Sequence, residues 1–216
     1  MSVFVTGTDT GIGKTWVSAA LLRALSRRGA RAVGMKPVQT GVGADALDDA
    51  AVLRAAGNVD APPELVNPYG FAPAIAPHVA AREAGVAIEP SRIGSAFEAL
   101  SRLADTVVIE GAGGPLVPID DRHDMLDIAA MLRLPVLLVV GVRLGCISHA
   151  QLCSLAVRAR GLVLAGWVAN RIDPAMAHAD ASIDAIERAL SAPRVATFRW
   201  RDTEWPDETP LDEWLR

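Results

Sequence analysis

The stretch VFVTGTDTGIGKTW, residues 3–16, decides the fold of this chain. A short β-branched run precedes a glycine-rich turn, and Gly13-Lys14-Thr15 then opens a segment with helical periodicity. The usual phosphate-binding loop separates its two glycines by four residues, because backbone N–H groups must wrap closely around phosphate oxygens. Here Gly7 and Gly13 are separated by five residues. The strand–loop–helix context still predicts a phosphate-binding loop. The alternative is an ordinary glycine-rich turn with a solvent-facing lysine.

The rest of the chain continues this alternation of apolar runs and helical segments. The apolar, β-rich runs are SVFVTG, RAVGMKP, TVVIEGAGG, LPVLLVVGV, LVLAGWVANR and RVATF. Helices are expected at about residues 14–28, 46–56, 91–104, 124–132, 147–160 and 176–190, with Gly29 placed to end the first. The alternation predicts an α/β fold, a doubly wound and mostly parallel sheet of the P-loop nucleoside-triphosphatase type, with helices on both faces.

Length and composition limit the classes of protein that fit. A chain of 216 residues has the length of one α/β domain, so we expect a single domain over residues 1–216. Its 51% hydrophobic content is enough for a sizeable core. The net charge is −4 and no run of Lys or Arg occurs, which argues against a nucleic-acid partner.

The sequence also argues against membrane insertion and export. The longest apolar stretch, residues 134–142, is less than half of the ~20 residues that a membrane helix needs. A basic segment followed by a long apolar one is missing at the N-terminus, so no secretory signal is expected. Cys146 and Cys153 fall in one predicted helix and are interpreted as buried small hydrophobic residues rather than a disulfide. We therefore expect a cytoplasmic protein.

Two segments do not follow the alternation. Residues 58–90 are rich in Pro and Ala and are expected to form a structured excursion over the edge of the sheet, of the kind that often carries substrate contacts. The acidic tail, residues 199–216, contains three of the five tryptophans. We interpret it as a segment that docks on the fold through Trp214 and Leu215, in preference to a partner-binding motif.

Charged residues follow two of the predicted strands. Lys36 comes after the second strand, and ligands of open α/β sheets bind beyond such strand ends. A lysine there could neutralise a transferring phosphoryl group, or it could be an ordinary surface residue. Glu110 ends the run TVVIE before a glycine-rich turn, where the Mg²⁺-binding acid of a phosphate-loop enzyme belongs. Asp48 and Asp49 open a predicted helix, and spacing alone leaves each as a magnesium ligand or a helix cap.

Six segments together resemble the dethiobiotin synthetase family over about the first 170 residues. They are FVTGTDTGIGKT, MKPVQTG, VNPYGF, IEGAGG, LPVLLVVGVRLGCISHA and LAGWVAN. The family's phosphate loop has the same five-residue gap between glycines, so the spacing is that of a variant loop. The resemblance implies a Mg²⁺-dependent homodimer that converts 7,8-diaminononanoate, CO2 and ATP into dethiobiotin, ADP and phosphate. One substrate amine takes up CO2 as a carbamate, ATP phosphorylates the carbamate to a carbamic–phosphoric anhydride, and the second amine closes the cyclic urea.

The resemblance also implies roles for individual residues. The implied catalytic residues are Lys36, Lys14 and Thr10. Residues implied to contact ATP are Thr8, Asp9, Thr10, Gly11, Ile12, Gly13, Lys14, Thr15, Trp16 and, at the base, Asn170. The implied magnesium ligands are Thr15, Asp49 and Glu110, since the family's helix start aligns better with Asp49 than with Asp48. The implied substrate contacts are Thr40, Gly113, Cys146 and Ser148, some of them from the partner subunit.

The chain departs from the family pattern at the carboxylate end of the substrate pocket and in the segment that contacts the nucleotide base. Ser148 stands where the family often has Asn, and Ala181 lies in a helix where some members have a Tyr. The contacts to the substrate carboxylate are therefore open. RVATFRWRDTEWPDE replaces a Gly-x-x-Pro turn that wraps the base in many members. Base contacts beyond Asn170, and the preference among nucleoside triphosphates, are open for the same reason.

Three other classes of function are weighed against this one. A nucleotide-switched ATPase of the partition and septum-site type uses a similar loop, but typically with a second lysine where this chain has Thr8, Asp9 and Thr10. A cobyrinate-type amide synthase would add a glutaminase domain, for which 216 residues leave no room. A pure binding module would hold nucleotide without turnover.

Overall fold

The computed structural model describes residues 2–43 and 48–206. In chain order its elements are β1 (Val3–Gly7), α1 (Lys14–Arg27), β2 (Ala32–Met35), β3 (Val38–Thr40), α2 (Asp49–Ala56), α3 (Pro63–Val66), β4 (Tyr69–Phe71), α4 (Pro77–Glu83), α5 (Pro90–Leu103), β5 (Thr106–Glu110), α6 (Met125–Met131), β6 (Val136–Gly141), α7 (Cys146–Ala159), β7 (Leu164–Asn170), α8 (Ala179–Ala189) and β8 (Arg194–Phe198). No helix within these residues is both long and apolar enough to cross a membrane.

A six-stranded sheet in the order β2-β5-β1-β6-β7-β8 forms the centre of the fold. Every neighbouring pair in it is parallel. The strand β1 lies between β5 and β6. The connection that leaves β1 leads to β2 on one side of it, whereas the strands β6, β7 and β8 follow one another on the other side, so the strand order reverses beside β1. The loop that follows β1 therefore leaves the sheet at the point where ligands bind in open α/β folds. All six predicted strands are confirmed.

Alternate side chains of the strands point to opposite faces of the sheet, and both faces are covered. Val3 and Val5 of β1 pack in the cluster formed with α1 and α2, whereas Phe4 packs in the cluster formed with α5 and α6. Leu138 of β6 joins a third cluster with α7 and α8. Burial on both faces is the reason that these strands read as continuous apolar runs rather than alternating ones.

The excursion at residues 58–90 is structured, as predicted, and contains α3, β4 and α4. Its strand β4 pairs in parallel with β3 in a separate two-stranded sheet. Tyr69 and Phe71 of β4 are buried in the same cluster as Met35 of β2. The Tyr69 hydroxyl accepts a hydrogen bond from the Glu89 N–H at 2.9 Å, which ties the end of the excursion to its middle. Strands of three residues are too short to show a periodic apolar pattern, so the sequence did not predict them.

Two predicted helices begin later than expected. The helix predicted at 46–56 runs over Asp49–Ala56, and residues 46 and 47 lie outside the described residues. The helix predicted at 176–190 begins only at Ala179, because His178 has a left-handed backbone with φ 57°. Gly29 has φ 85° immediately beyond the end of α1, as predicted. Trp214 and Leu215, the predicted docking residues of the tail, lie outside the described residues.

Candidate functional site

The phosphate loop, residues 8–13, connects β1 to α1 at the middle of the sheet. Gly13 is the N-cap of α1 and has φ 85°, a conformation that favours glycine. A Cβ atom at Gly13 would lie 2.3 Å from Asn170 Nδ2. That amide nitrogen donates to the Ile12 carbonyl at 2.7 Å, so β7 holds the loop directly. The last glycine of the pattern is required both by its conformation and by this close approach.

Lys14, the first residue of α1, is buried and folds back onto the loop. Its Nζ donates to the Asp9 carbonyl oxygen at 2.8 Å. Burial and, to a lesser extent, the neighbouring Lys36 ammonium lower the pKa of Lys14 to about 8, while the nearby carboxylates of Glu110, Asp49 and Asp9 oppose this shift. A phosphate group bound in the loop would place negative charge beside Lys14 and stabilise its ammonium form.

Two carboxylates, a hydroxyl and a lysine meet where β2 and β5 end. The Thr15 Oγ1 lies 2.8 Å from Asp49 Oδ1 and 3.0 Å from Glu110 Oε1. Lys36 Nζ lies 2.5 Å from Glu110 Oε1 and 2.7 Å from Asp49 Oδ2. Burial alone would lower the pKa of Lys36, but the two carboxylates outweigh it and raise the pKa above the usual value. Lys36 is therefore a buried cation held between two acids, and the interpretation as a surface lysine is wrong.

These oxygens form a donor set that suits Mg²⁺. Glu110 is fully buried, and its Oε2 has no hydrogen-bond partner among the residues that the structure describes. Mg²⁺ prefers oxygen ligands and usually takes one or two carboxylates, completing its shell with phosphate oxygens and waters. No group of three or more His, Cys, Asp or Glu side chains gathers within the described ranges, so a site made of protein ligands alone is not seen there. Thr15, Asp49 and Glu110 fit Mg²⁺ held together with a nucleotide.

The two neighbouring aspartates have different surroundings. Asp48 is the N-cap of α2, since its Oδ1 accepts from the Ala51 N–H at 3.1 Å and from Gln39 Nε2 at 3.2 Å. Asp49 points to Thr15 and Lys36 instead. Spacing alone left each aspartate as a helix cap or a magnesium ligand. In the structure Asp48 is the cap, and Asp49 lies at the candidate metal site.

A cleft of ≈1170 Å³ opens over these residues at the carboxyl ends of the strands. The predicted site residues that line it are Thr10, Gly11, Gly13, Lys14, Thr15, Trp16, Lys36, Thr40, Asp49, Glu110, Gly113 and Asn170. The excursion contributes residues 74–77, and the chain after β8 contributes residues 200–203. Most of the residues that were predicted from scattered motifs thus share one cavity.

The other predicted loop residues support the loop from outside the cleft. Thr8 Oγ1 accepts a hydrogen bond from the Gly141 N–H at 3.2 Å, and Ile12 is buried in the core. Asp9 accepts from the Thr10 N–H at 2.7 Å and forms an ion pair with Arg143. Sequence reasoning missed Arg143, although it lies just after β6 as Lys36 lies just after β2. The rule used for Lys36 would have found it.

Cys146 and Ser148 lie in a different place from the other predicted substrate residues. Both line a second pocket of ≈490 Å³ at the start of α7, together with Arg143 and Leu144. Neither residue lines the large cleft of the same chain. Within the described residues of one chain, the structure does not bring these two positions to the phosphate loop.

Comparison with known proteins gives the family. A family model described as an AAA domain matches residues 1–204. The ATP-dependent dethiobiotin synthetase BioD of Aromatoleum aromaticum is 54% identical over 194 residues, which cover 88% of this chain and 86% of that protein. The enzyme of the same name from Nitrosospira multiformis is 50% identical over 190 residues, covering 88% and 84%. The chain belongs to the dethiobiotin synthetase family.

Solved structures confirm the fold expected of a dethiobiotin synthetase. The MinC:MinD cell division protein complex of Aquifex aeolicus matches with a TM-score of 0.57 at 17% identity, covering 99% of this chain and 84% of that one. A ParA family ATPase from Chlorobium tepidum matches with a TM-score of 0.54 at 16% identity, covering 93% and 85%. Identities this low speak for the P-loop nucleoside-triphosphatase fold alone. They lend no weight to the partition or septum-site hypothesis.

Proposed function

We propose that the protein carboxylates 7,8-diaminononanoate with CO2 and closes the product to dethiobiotin, with ATP converted to ADP and phosphate. Membership of the dethiobiotin synthetase family makes it an ATP-using ligase of biotin biosynthesis. One observation carries the finer proposal, namely the convergence of Lys14, Thr15, Lys36, Asp49 and Glu110 in one cleft. A binding module would not need a second buried lysine beside the phosphate loop.

The proposed reaction has three bond-forming steps. A substrate amine attacks CO2 and loses a proton, giving a carbamate. A carbamate oxygen then attacks the γ-phosphorus of ATP and ADP leaves, giving a carbamic–phosphoric anhydride. The second amine attacks the carbamoyl carbon and loses a proton, and phosphate leaves with the former carbamate oxygen. The protein's main task in such a sequence is to position the reactants and neutralise charge.

The two lysines have different proposed tasks. Lys14 and the loop N–H groups bind the phosphates, as the position of Lys14 at a helix N-terminus supports. Lys36 neutralises the charge that develops on the transferring phosphoryl group and the carbamate. Its burial supports this role, since an ammonium in a site of low dielectric interacts strongly with nearby anions.

Thr15, Asp49 and Glu110 would hold Mg²⁺. The metal would supply positive charge that screens the β- and γ-phosphate oxygens from the attacking carbamate. Glu110 Oε2 supports this assignment, because it has no donor in the described part of the chain and a buried carboxylate oxygen without a donor is costly unless a ligand satisfies it. Before nucleotide binds, Lys36 provides the balancing charge for the same acids.

Neutral residues around the cleft are proposed to contact the other reactants. Thr10 and Thr40 contact the amine or carbamate end of the substrate, and both line the cleft. Gly113 has φ 63°, and its missing side chain lets backbone approach the substrate closely. Asn170 contacts the base through its side-chain Oδ1 or the second N–H of Nδ2, since the first N–H donates to the Ile12 carbonyl of the loop.

A homodimer is proposed, in which the second pocket of one protomer completes the substrate site of the other. The pocket contains Cys146 and Ser148 at the N-terminus of α7, where N–H groups favour a carboxylate. Leu144, Leu152 and Leu155 beside it are 93%, 60% and 53% exposed. Three large aliphatic side chains exposed together are typical of a protein interface.

The proposal is tested by giving the purified protein Mg²⁺, ATP, ¹³C-bicarbonate and 7,8-diaminononanoate. The expected product is a ¹³C-labelled cyclic urea, formed with ADP in equal amount and identified by mass spectrometry. The matched variant Lys36→Gln should bind ATP but form little of the labelled cyclic urea. ATP hydrolysis without labelled product in the wild type would contradict the proposal and favour the switch ATPase.

A further inference from the structure

The chain that follows β8 forms one wall of the nucleotide cleft. Residues 200–203, here called the wall segment, line the cleft together with the phosphate loop. A turn holds the segment locally, since the Arg199 N–H donates to Asp202 Oδ2 at 2.8 Å and the Asp202 N–H to the Arg199 carbonyl at 3.1 Å. The Arg201 guanidinium lies 5.6 Å from the centre of the Trp200 ring. These contacts fix the shape of the turn but not its distance from the loop.

Two arginines of α1 fix that distance. Arg23 Nη2 donates to the Thr203 carbonyl oxygen. Arg23 Nε lies 3.3 Å from Glu204 Oε1, and Arg27 Nη1 lies 2.5 Å from Glu204 Oε2. The two arginines are four residues apart and so lie on the same face of the helix. One carboxylate is thus held by two guanidinium groups, directly after the wall segment.

The same helix carries the phosphate-binding residues. α1 begins with Lys14, whose side chain folds over the loop, and its third and fourth turns carry Arg23 and Arg27. A helix of this length is stiff, so it sets the spacing between the phosphate loop and the wall segment. A nucleotide bound by the loop would meet a wall whose position depends on the ion pairs of Glu204.

We propose that Arg23, Arg27 and Glu204 are positioning residues for the nucleotide, which hold the wall segment against it and thereby set the affinity for ATP. The inference rests on the proposed function in so far as the cleft takes ATP. It adds a determinant in the part of the chain where the sequence departs from the family pattern. None of the three residues lines the cleft.

The exposure of these groups predicts how their loss would appear. The side chains of Arg27 and Glu204 are 54% and 58% exposed, and exposed ion pairs contribute little to global stability. Trp205, which follows them, is buried and packs edge-on against Phe198 with ring centres 5.7 Å apart. This aromatic contact keeps the chain attached when the ion pairs are broken. The expected effect is therefore on nucleotide affinity and not on folding.

The test is the dissociation constant for Mg-ATP, measured by titration calorimetry on the full chain. Glu204→Gln and Arg27→Gln should each weaken binding by about two- to fivefold, the range expected when an exposed ion pair is lost. The KM for 7,8-diaminononanoate, kcat and the thermal midpoint should stay close to wild-type values. Glu187→Gln is the matched control, because Glu187 also pairs with an arginine, at 3.1 Å, away from the cleft.

Charge reversal makes the test independent of a single variant. Glu204→Arg should weaken binding more than Glu204→Gln, and adding Arg27→Glu to it should restore part of the affinity. Unchanged affinity for Mg-ATP in Glu204→Gln and Glu204→Arg would overturn the inference, as would an equal loss in Glu187→Gln. Because binding is measured directly, a wild type that binds ATP without forming cyclic urea would contradict the proposed reaction and leave this inference standing.

Discussion

Lys14 is buried and lies near a second positive charge, and together these lower its pKa into a range where ATP binding can be measured. The groups that face it are Lys36 after β2, Glu110 at the end of β5, Asp49 of α2 and Asp9 of the loop. Its pKa of about 8 lies below the ordinary lysine value because burial and Lys36 disfavour the ammonium. In the nucleotide-free protein, raising the pH through 8 therefore removes the charge that would bind phosphate.

ATP affinity should accordingly fall as the pH rises above about 8, by up to tenfold per pH unit. Below that value the ammonium is present and affinity should be nearly constant. The measurement is the dissociation constant for Mg-ATP from about pH 7 to pH 9.5. Lys14→Arg is the control, since a guanidinium stays protonated throughout and should remove the dependence. The same pH dependence in Lys14→Arg would show that another group titrates.

Lys36 is bound to two acids at once, so its replacement should have two effects. Lys36→Gln should lower kcat by about 10²- to 10³-fold, the usual loss when a preorganised charge contact is removed. It should also destabilise the metal-free protein, by up to about 3–5 kcal/mol, because Glu110 and Asp49 lose their cation. Added Mg²⁺ should restore much of that stability by taking its place.

Steady-state rates and thermal unfolding with and without Mg²⁺ measure both effects of Lys36→Gln. A variant with unchanged turnover would remove Lys36 from the mechanism. A variant whose unfolding does not respond to Mg²⁺, in contrast, would contradict the assignment of the two acids as metal ligands.

At the scale of elements, the turn from β1 into α1 offers a comparison between two glycines. Gly13 and Gly11 both have left-handed backbones, with φ 85° and 72°. A Cβ at Gly13 would clash with Asn170, whereas no atom of residues 2–43 and 48–206 lies within 4 Å of one at Gly11. An alanine would be strained by the backbone conformation at either position, but only at Gly13 would its side chain also lack space.

Gly13→Ala should abolish measurable ATP binding, because it displaces Asn170 from the Ile12 carbonyl and distorts the loop. Gly11→Ala should cost about 1 kcal/mol of stability from its conformation alone and keep most of the binding. Calorimetric titration with ATP and urea unfolding of both variants give the two numbers. Equal losses in the two variants would mean that strain, and not the contact with Asn170, makes Gly13 necessary.

The elements that sequence reasoning predicted are those with long apolar or amphipathic patterns. The six strands of the main sheet and the helices around them have such patterns, because each is buried on one or both faces. The strands β3 and β4 have three residues each and take their conformation from tertiary contacts. The start of α8 depends on the left-handed residue His178, which no periodic pattern reveals.

The candidate site divides in the same way. Lys14, Lys36 and Glu110 were predicted because they follow strands or open a helix, and strand ends converge in a parallel sheet. Asp49 could be separated from Asp48 only by its contacts. The contacts of Arg23 and Arg27 of α1 with the wall segment and Glu204 could not be predicted, because they join residues about 180 positions apart in the chain.

At the scale of the whole molecule, the proposed dimer makes a prediction about α7. Leu152→Glu places a charge among the exposed leucines beside the second pocket and should shift the protein towards monomer. The KM for 7,8-diaminononanoate should rise, while the affinity for ATP stays nearly constant. Val86→Glu adds the same charge at another exposed apolar position, after α4, and should change neither quantity.

Sedimentation velocity and steady-state kinetics check this prediction together. If the Leu152→Glu variant remains dimeric, the dimer interface does not include the exposed leucines of α7. If the variant is a monomer with an unchanged KM for the diamine, the second pocket does not belong to the substrate site.

Transfer of a phosphoryl group to a carbamate in the cleft would move one bicarbonate oxygen into the released phosphate. The protein is given ¹⁸O-labelled bicarbonate with ATP, Mg²⁺ and 7,8-diaminononanoate, and the phosphate is analysed by mass spectrometry before the label exchanges with water. We predict one ¹⁸O atom in each phosphate, because the carbamate oxygen leaves with it on ring closure. Phosphate that contains oxygen only from ATP and water would show that no carbamate oxygen is phosphorylated.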